Sequence, residues 1–380
     1  MRSLDLARAA CEKFHPGLCD ALAATPLSVH ESEQTTTIKT YRAYGGAGLL
    51  VPAAYGGAGA DALEAVRVTR AISAYSPSLG AAVTMHHFTA AMLFKLAETA
   101  GRLTPAQMSL LGRVAPEGLL MASGWAEGRP NANILTPSVT ARPAPDGGYL
   151  VSGGKRPCSL SASMDLLTAS IAVPDETGRP SLAVLLIPAQ SPGVSVHPFW
   201  STYVLPGAES DEVRLTDVHV PEDLVIRTVP DDPDRLDDLQ TAGFVWFEMM
   251  ITSVYLGAAS ALAERALASG RGSATDRAAM AICLESAIAG VEGVARAVLD
   301  GVDGDEAVAA VLVARYAAQD AIRRTTDSAV ELLGGMAFIS SSDVAYLAAA
   351  ARPLVFHPPS QASAAEPLVD YFAGQPLVLS

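Results

Sequence analysis

The chain has 380 residues, half of them apolar, with 40 acidic against 26 basic side chains and a formal net charge of −14. That length buries a large core over two or three domains and excludes a disordered chain, while the acidic excess speaks against a nucleic-acid surface, which needs clustered Lys and Arg. Cys11, Cys19, Cys158 and Cys283 form no CxxC pair and no Cys/His spacing of a zinc site, so free buried thiols and no metal are expected.

The opening residues carry Arg2, Asp5, Arg8 and Glu12 with no uninterrupted apolar core, so no signal peptide is expected and the protein is expected in the cytoplasm. Residues 1–118 read as helices joined by Gly- and Pro-containing turns. The glycine loop Tyr55-Gly56-Gly57-Ala58-Gly59 follows no βαβ pattern, so it is not a dinucleotide fingerprint. Helices are predicted over 63–74 and 78–97, the second carrying His86 and His87. Adjacent helical residues point in different directions, so the two do not share a ligand easily, and a structural or a substrate-lining role stays open.

Residues 119–233 change to short strands. A hairpin is predicted from 138–144 and 149–152 around Asp146-Gly147-Gly148, followed by strands at 166–173, 182–187, 194–197 and 212–220.

From 234 onward the chain is helical again. Helices are predicted at 241–268, at 276–299 stopped by Gly301, at 305–333 stopped by Gly334-Gly335 as a C-cap, and from Ser342-Asp343 to before Pro353. The longest apolar run, 249–263, is shorter than the ~20 residues of a bilayer span, so a buried helix and no membrane are expected. At helical spacing Glu248, Thr252 and Tyr255 share one face of it. A desolvated carboxylate there would have a raised pKa and suit a general base; the other reading is a Glu near a helix start, satisfied by water or the helix dipole. The order of blocks gives an α+β chain: an N-terminal α-helical domain (1–118), a middle β-domain of barrel or sandwich type (119–233) and a C-terminal four-helix bundle (234–380).

Several stretches resemble the acyl-CoA dehydrogenase family: the turn Gly48-x-x-x-Pro52-x-x-Tyr55-Gly56-Gly57-x-Gly59, the paired segments Trp125-Ala126-Glu127 and Gly153-Gly154-Lys155 with Ser159, and the strand exit Asp217-Val218-x-Val220-Pro221. With the matching block order, the resemblance covers nearly the whole chain. It implies FAD, held by Trp125, Glu127, Asn131, Asn133, Pro157 and Ser159. Asn131-Ala132-Asn133 stands where the family usually has Gly-Ser, so a serine hydroxyl is lost although Asn131 can donate. Ser159 falls where the family has a flavin-bonding Thr, and Pro157 replaces the usual aromatic. The resemblance further implies a homo-oligomer, a dimer or dimer of dimers, in which Arg271 (or Arg277), Glu331, Gly334 and Gly335 reach the neighbour's cofactor. Glu331 replaces a Gln there, which sets a carboxylate beside a pyrophosphate.

The activity implied is α,β-dehydrogenation of an acyl thioester carried by CoA or an acyl-carrier protein, with electrons passed to a redox partner or oxygen. It needs a carboxylate to take the α-proton. The segment Phe356-His357-Pro358-Pro359-Ser360 has Pro358 in place of the family's usual Glu. The base then falls to Glu248, within one residue of the place a minority of relatives use, or to His357, which titrates near neutrality. Thr252, Tyr255, His86 and His87 are the expected substrate-side residues. The alternatives on the same fold are a reduced-flavin monooxygenase, which needs no such base, and a non-redox binding subunit.

Overall fold

The computed structural model describes residues 1–100, 102–128, 136–175, 178–227 and 238–379. Its first helix, α1 (Arg2–Phe14), buries Leu4, Ala7 and Cys11, one face by their spacing, and packs on α2 (Ala62–Tyr75). A capping box opens α2: Glu64 N–H donates to Asp61 at 2.8 Å and Asp61 N–H to Glu64 at 3.0 Å. The next helix, α3 (Pro77–Ala100), is apolar on most sides and buried accordingly.

Eight strands follow in one sheet: β1 (Met121–Gly124), β2 (Thr140–Pro143), β3 (Tyr149–Cys158), β4 (Leu166–Pro174), β5 (Pro180–Pro188), β6 (Val194–His197), β7 (Asp211–Val220) and β8 (Val225–Arg227). Their order is β6-β7-β3-β2-β4-β5-β8, with β1 paired parallel to β4. The predicted hairpin is β2–β3, in register from Thr140↔Ser152 to Pro143↔Tyr149. Thr140↔Ala172 is the sole pairing of β2 with β4 among the described residues. Register shifts in β3 between Val151 and Gly153 and between Lys155 and Cys158 bend its end, which aims Pro157 and Ser159 away from the ladder.

The C-terminal helices are α4 (Asp238–Ser269), α5 (Ala274–Leu299), α6 (Gly304–Ser340) and α7 (Ser342–Ala350). The central one is α4, which packs against α2, α3, α5, α6 and α7. Its stretch Thr241–Ser269 is long and apolar enough to cross a membrane, but 89% of its most apolar window is buried, as in a core helix; α5 passes the same test of length and composition with 39% buried.

The predicted stop after residue 333 is where the regular helix breaks: Gly334 takes φ 79° and ψ 163°, and a second helical stretch follows to Ser340, so α6 is two helices joined at a kink. The reason is local: Arg271, from the α4–α5 turn, donates to the Leu333 carbonyl that the kink leaves free, and glycine adopts the positive φ without strain.

Candidate active site

A cavity of about 390 Å³ lies between α3, the ends of β1 and β3, the β6–β7 connection, α4 and the segment after α7. From α3 it takes Met85, Phe88 and Met92, and from α4 Phe244, Phe247, Ile251 and Tyr255, each set on one helical face. Phe88 and Phe247 meet edge to face at 5.4 Å. Pro353, Phe356, His357 and Pro358 complete the wall, with Phe356 82% exposed at the rim. Among the described residues no Asp, Glu, Lys or Arg side chain lines it.

The polar groups are few. Ser159 Oγ lies 2.9 Å from Ser210 Oγ across β3 and β7. Ser123 Oγ and Trp125 Nε1 are buried on the same wall without a partner among the described residues. Orphaned donors of this kind call for a ligand or water. They suit an isoalloxazine ring, whose pyrimidine edge needs hydrogen-bond partners and whose benzenoid end suits the phenylalanines, so the residues fit a flavin. On the opposite side Tyr255 Oη is 2.9 Å from His357 Nε2, and the imidazole packs on Phe247 at 5.7 Å. Burial, helped by the nearby Arg315 cation, pushes His357 down to about 3, so the ring is neutral. Burial pushes the Tyr255 phenol up.

Of the residues singled out in the sequence, Trp125, Pro157, Ser159, Tyr255 and His357 meet at this cavity. Asn131 and Asn133 lie outside the described residues. Glu127 sits beside the cavity as a strut: it accepts from Lys155 Nζ at 2.8 Å and from Ser138 N–H at 2.9 Å, while buried Lys155 also donates to Ser170 Oγ at 2.9 Å. Burial works against the Glu127 carboxylate, but Lys155 and Ser138 hold it down at about 2.

Other expectations are corrected by the geometry. His86 and His87 do not line the cavity. His86 Nε2 bonds the Ala47 carbonyl at 2.8 Å and its Nδ1 accepts Met121 N–H at 3.1 Å, splicing α3 to the short turn Gly46–Gly48 and to β1. His87 Nε2 bonds Tyr41 Oη at 2.7 Å. Burial pushes His86 down to about 4 and His87 well below its ordinary value.

Glu248 faces α6 rather than the cavity, because α4 turns the 244–247–251–255 face inward and Glu248 falls one residue beyond it, and Thr252 is buried without lining the cavity. Glu248 is fully buried and accepts from Arg315 Nη1 at 2.8 Å. Burial raises its carboxyl to about 7 against the pull of Arg315. Arg271, Glu331, Gly334 and Gly335 gather at the α6 kink, away from the cavity lining.

Sequence reasoning missed Ser123 and Ser210, which reach the wall through strand pairings of long sequence separation. It also missed Arg315, although a single cation within Val311-Leu312-Val313-Ala314-Arg315 was a visible signal.

Residues 7–102 match the acyl-CoA dehydrogenase N-terminal domain family. Over 377 residues, 99% of this chain and 100% of the relative, the sequence is 62% identical to an isobutylamine N-hydroxylase of Streptomyces viridifaciens. It is 29% identical over 213 residues to a dibenzothiophene monooxygenase of Rhodococcus qingshengii, covering 55% of this chain and 49% of that one. Among solved structures, XiaF from Streptomyces sp. in complex with FADH2 and glycerol superposes with a TM-score of 0.79 at 20% identity, over 100% of this chain and 98% of that one. These relatives side with the monooxygenase alternative rather than the thioester dehydrogenase.

Proposed function

Because the chain belongs to the acyl-CoA dehydrogenase-fold family of flavin enzymes, we propose that it is a flavin-dependent N-hydroxylase of small aliphatic primary amines. The observation that carries this reading is a cavity without a charged side chain among the described residues, in a chain that aligns end to end with an amine hydroxylase. Among the described residues no carboxylate reaches it to take an α-proton, since Glu248 stands behind the wall in its pair with Arg315. A thioester dehydrogenase would lack its base here.

The same cavity discriminates between forms of the amine. A primary alkylammonium titrates near ~10.4, as lysine does, so releasing its proton at pH 7.4 costs about 4 kcal/mol. An unpaired ammonium in an apolar cavity costs more, so the amine enters uncharged with its lone pair free. Tyr255 and His357 then present a hydroxyl and an imidazole side by side to orient the nitrogen, and the depressed pKa of His357 keeps a second positive charge away from it. Met85, Phe88, Phe247 and Ile251 bury the alkyl group and exclude water.

We assign the flavin, FAD in our reading, to Ser123, Trp125, Ser159 and Ser210. In its reduced form it supplies two electrons to O2, so that one oxygen atom enters the new N–O bond and the other leaves as water. Arg271, Glu331, Gly334 and Gly335, beside the exposed Met336, Phe338 and Ile339, serve a neighbouring copy's cofactor in a homo-oligomer in this reading.

The test uses chemically reduced FAD, 18O2 and a set of butyl- to hexylamines, with mass detection. A hydroxylamine carrying one 18O supports the reading. Anaerobic flavin reduction by an acyl thioester, with no N-oxygenated product, overturns it.

A further inference from the structure

Arg315 is the largest fully buried side chain among the described residues, yet it does not line the cavity. Its guanidinium is divided between two tasks. Nη1 donates to Glu248 Oε1 at 2.8 Å, while Nη2 donates to the His357 carbonyl and, at 3.4 Å, to the Leu354 carbonyl. The next residue, Tyr316, donates to the Pro359 and Ser360 carbonyls at 3.0 and 3.2 Å. Two successive residues of α6 therefore grip the chain from Leu354 to Ser360, which carries three cavity-lining residues, Phe356, His357 and Pro358. That stretch is a short 3₁₀ turn followed by Pro358-Pro359, which have no N–H to give to a ladder.

The pairing is poorly arranged for stability alone. A bidentate Arg–carboxylate pair would use both carboxylate oxygens, but among the described residues Glu248 Oε2 and Arg315 Nε are left without partners because Nη2 is directed at the segment. Buried pairs rarely outperform an apolar pair of similar volume. The geometry is explained if the guanidinium serves the segment and Glu248 holds the guanidinium.

We propose that Glu248 and Arg315 are positioning residues that fix the His357 backbone, and through it the imidazole against Tyr255 on the cavity wall. The link to amine turnover rests on the function proposed above; the placement of His357 does not. Two titratable or charged groups reach this histidine, Tyr255 from α4 at its imidazole and Arg315 from α6 at its carbonyl, while Glu248 pairs with Arg315 and Tyr316 holds the Pro359 and Ser360 carbonyls.

The experiment uses the full chain, without flavin, carrying isotope-labelled histidine; the His357 resonance is identified by its loss in His357→Gln. The double variant Glu248→Gln/Arg315→Met removes both charges without leaving one unpaired, and Arg315→Lys keeps the charge but not the two-way grip. In whichever variants retain a cooperative melt, we expect the His357 resonance to move and amine kcat/KM to fall on the order of 10²-fold, as when a catalytic group is displaced by about 1 Å. In the double variant we also expect His357 to titrate at higher pH. An unmoved resonance with an unmoved titration in a folded variant overturns the proposal. If the resonance moves but the unaltered protein hydroxylates no amine, the functional reading fails and the positioning role stands.

Discussion

Tyr255 and His357 stand 102 residues apart in sequence and meet hydroxyl to imidazole at 2.9 Å, on the wall of a cavity that no charged side chain among the described residues lines. Replacing Tyr255 by Phe keeps the ring's packing and removes the hydrogen bond, leaving a buried imidazole nitrogen unpaired at a cost of about 1–3 kcal/mol. We expect amine kcat/KM to fall roughly 10- to 100-fold with flavin affinity unchanged. Steady-state kinetics beside a flavin titration check this; unaltered kinetics would remove the pair from the site.

Uptake of the free amine fixes the sign of the pH dependence. Amine kcat/KM should rise about tenfold per pH unit between 7 and 9 and level near the amine's own pKa, because only the unprotonated fraction binds. A less basic amine should reach its plateau at correspondingly lower pH. A profile indifferent to amine basicity contradicts this.

Stability should fall with acid, beginning below pH 6.5. His86 at about 4, His357 at about 3, and His15 and His87, all depressed by burial, are neutral in the fold, whereas the unfolded chain takes up protons at 6.5. His86 and His357 each withdraw about 1.4 kcal/mol per pH unit between 6.5 and their folded values, and His15 and His87 act in the same direction. Glu248, raised to about 7, works the other way: its contribution is full below 4.5 and lost as pH rises through 7. Four groups outweigh one, so urea midpoints measured from pH 7.5 to 5 should decline, and a rise would contradict the assignment.

Gly243 lines the cavity where a Cβ would lie 2.8 Å from Met92 Sδ. The thioether is flexible, so Gly243→Ala should fold with Met92 pushed into the cavity. Longer amines should then lose more than shorter ones, by about 0.8 kcal/mol per methylene no longer accommodated. Comparing kcat/KM for propyl- to hexylamine reads the shift; a uniform loss would mean that this end does not receive the alkyl chain.

Two copies of the chain should associate through the face bearing Met336, Phe338 and Ile339, of which Ile339 is 77% exposed. Sedimentation should show a dimer or larger, and Ile339→Asp should weaken both association and flavin retention. A monomer with full flavin occupancy would contradict this.

Much of the fold was legible because long helices and alternating strands write their period into the sequence. The strands β1 and β8, of four and three residues, are too short to show one. Gly334-Gly335 announced the break in α6 but not the helical stretch that follows it, because the pair looks the same either way; Arg271, 63 positions earlier, donates to the Leu333 carbonyl left free there. Glu248 was assigned to the correct helix and the wrong side of it, since one residue turns a side chain by about 100°. The hydroxyl meeting of Ser159 with Ser210 depends on a bulged register that no local pattern encodes.

Among the described residues one pair joins β2 to β4 and one bridge, Glu127 to Arg156, joins the chain after β1 to β3, which makes the sheet two leaves sewn along a seam, with β6, β7, β3 and β2 in one and β1, β4, β5 and β8 in the other. Lys155 adds a side-chain stitch, reaching from the first leaf to Ser170 in the second. Ser159 and Ser210 stand on the first leaf and Ser123 on the second, so a flat molecule filling the cavity clamps both. Loss of that molecule loosens the seam before it loosens either leaf, and the Ala172 amide, which bonds across it to the Val139 carbonyl at 2.8 Å, is where faster hydrogen exchange would register.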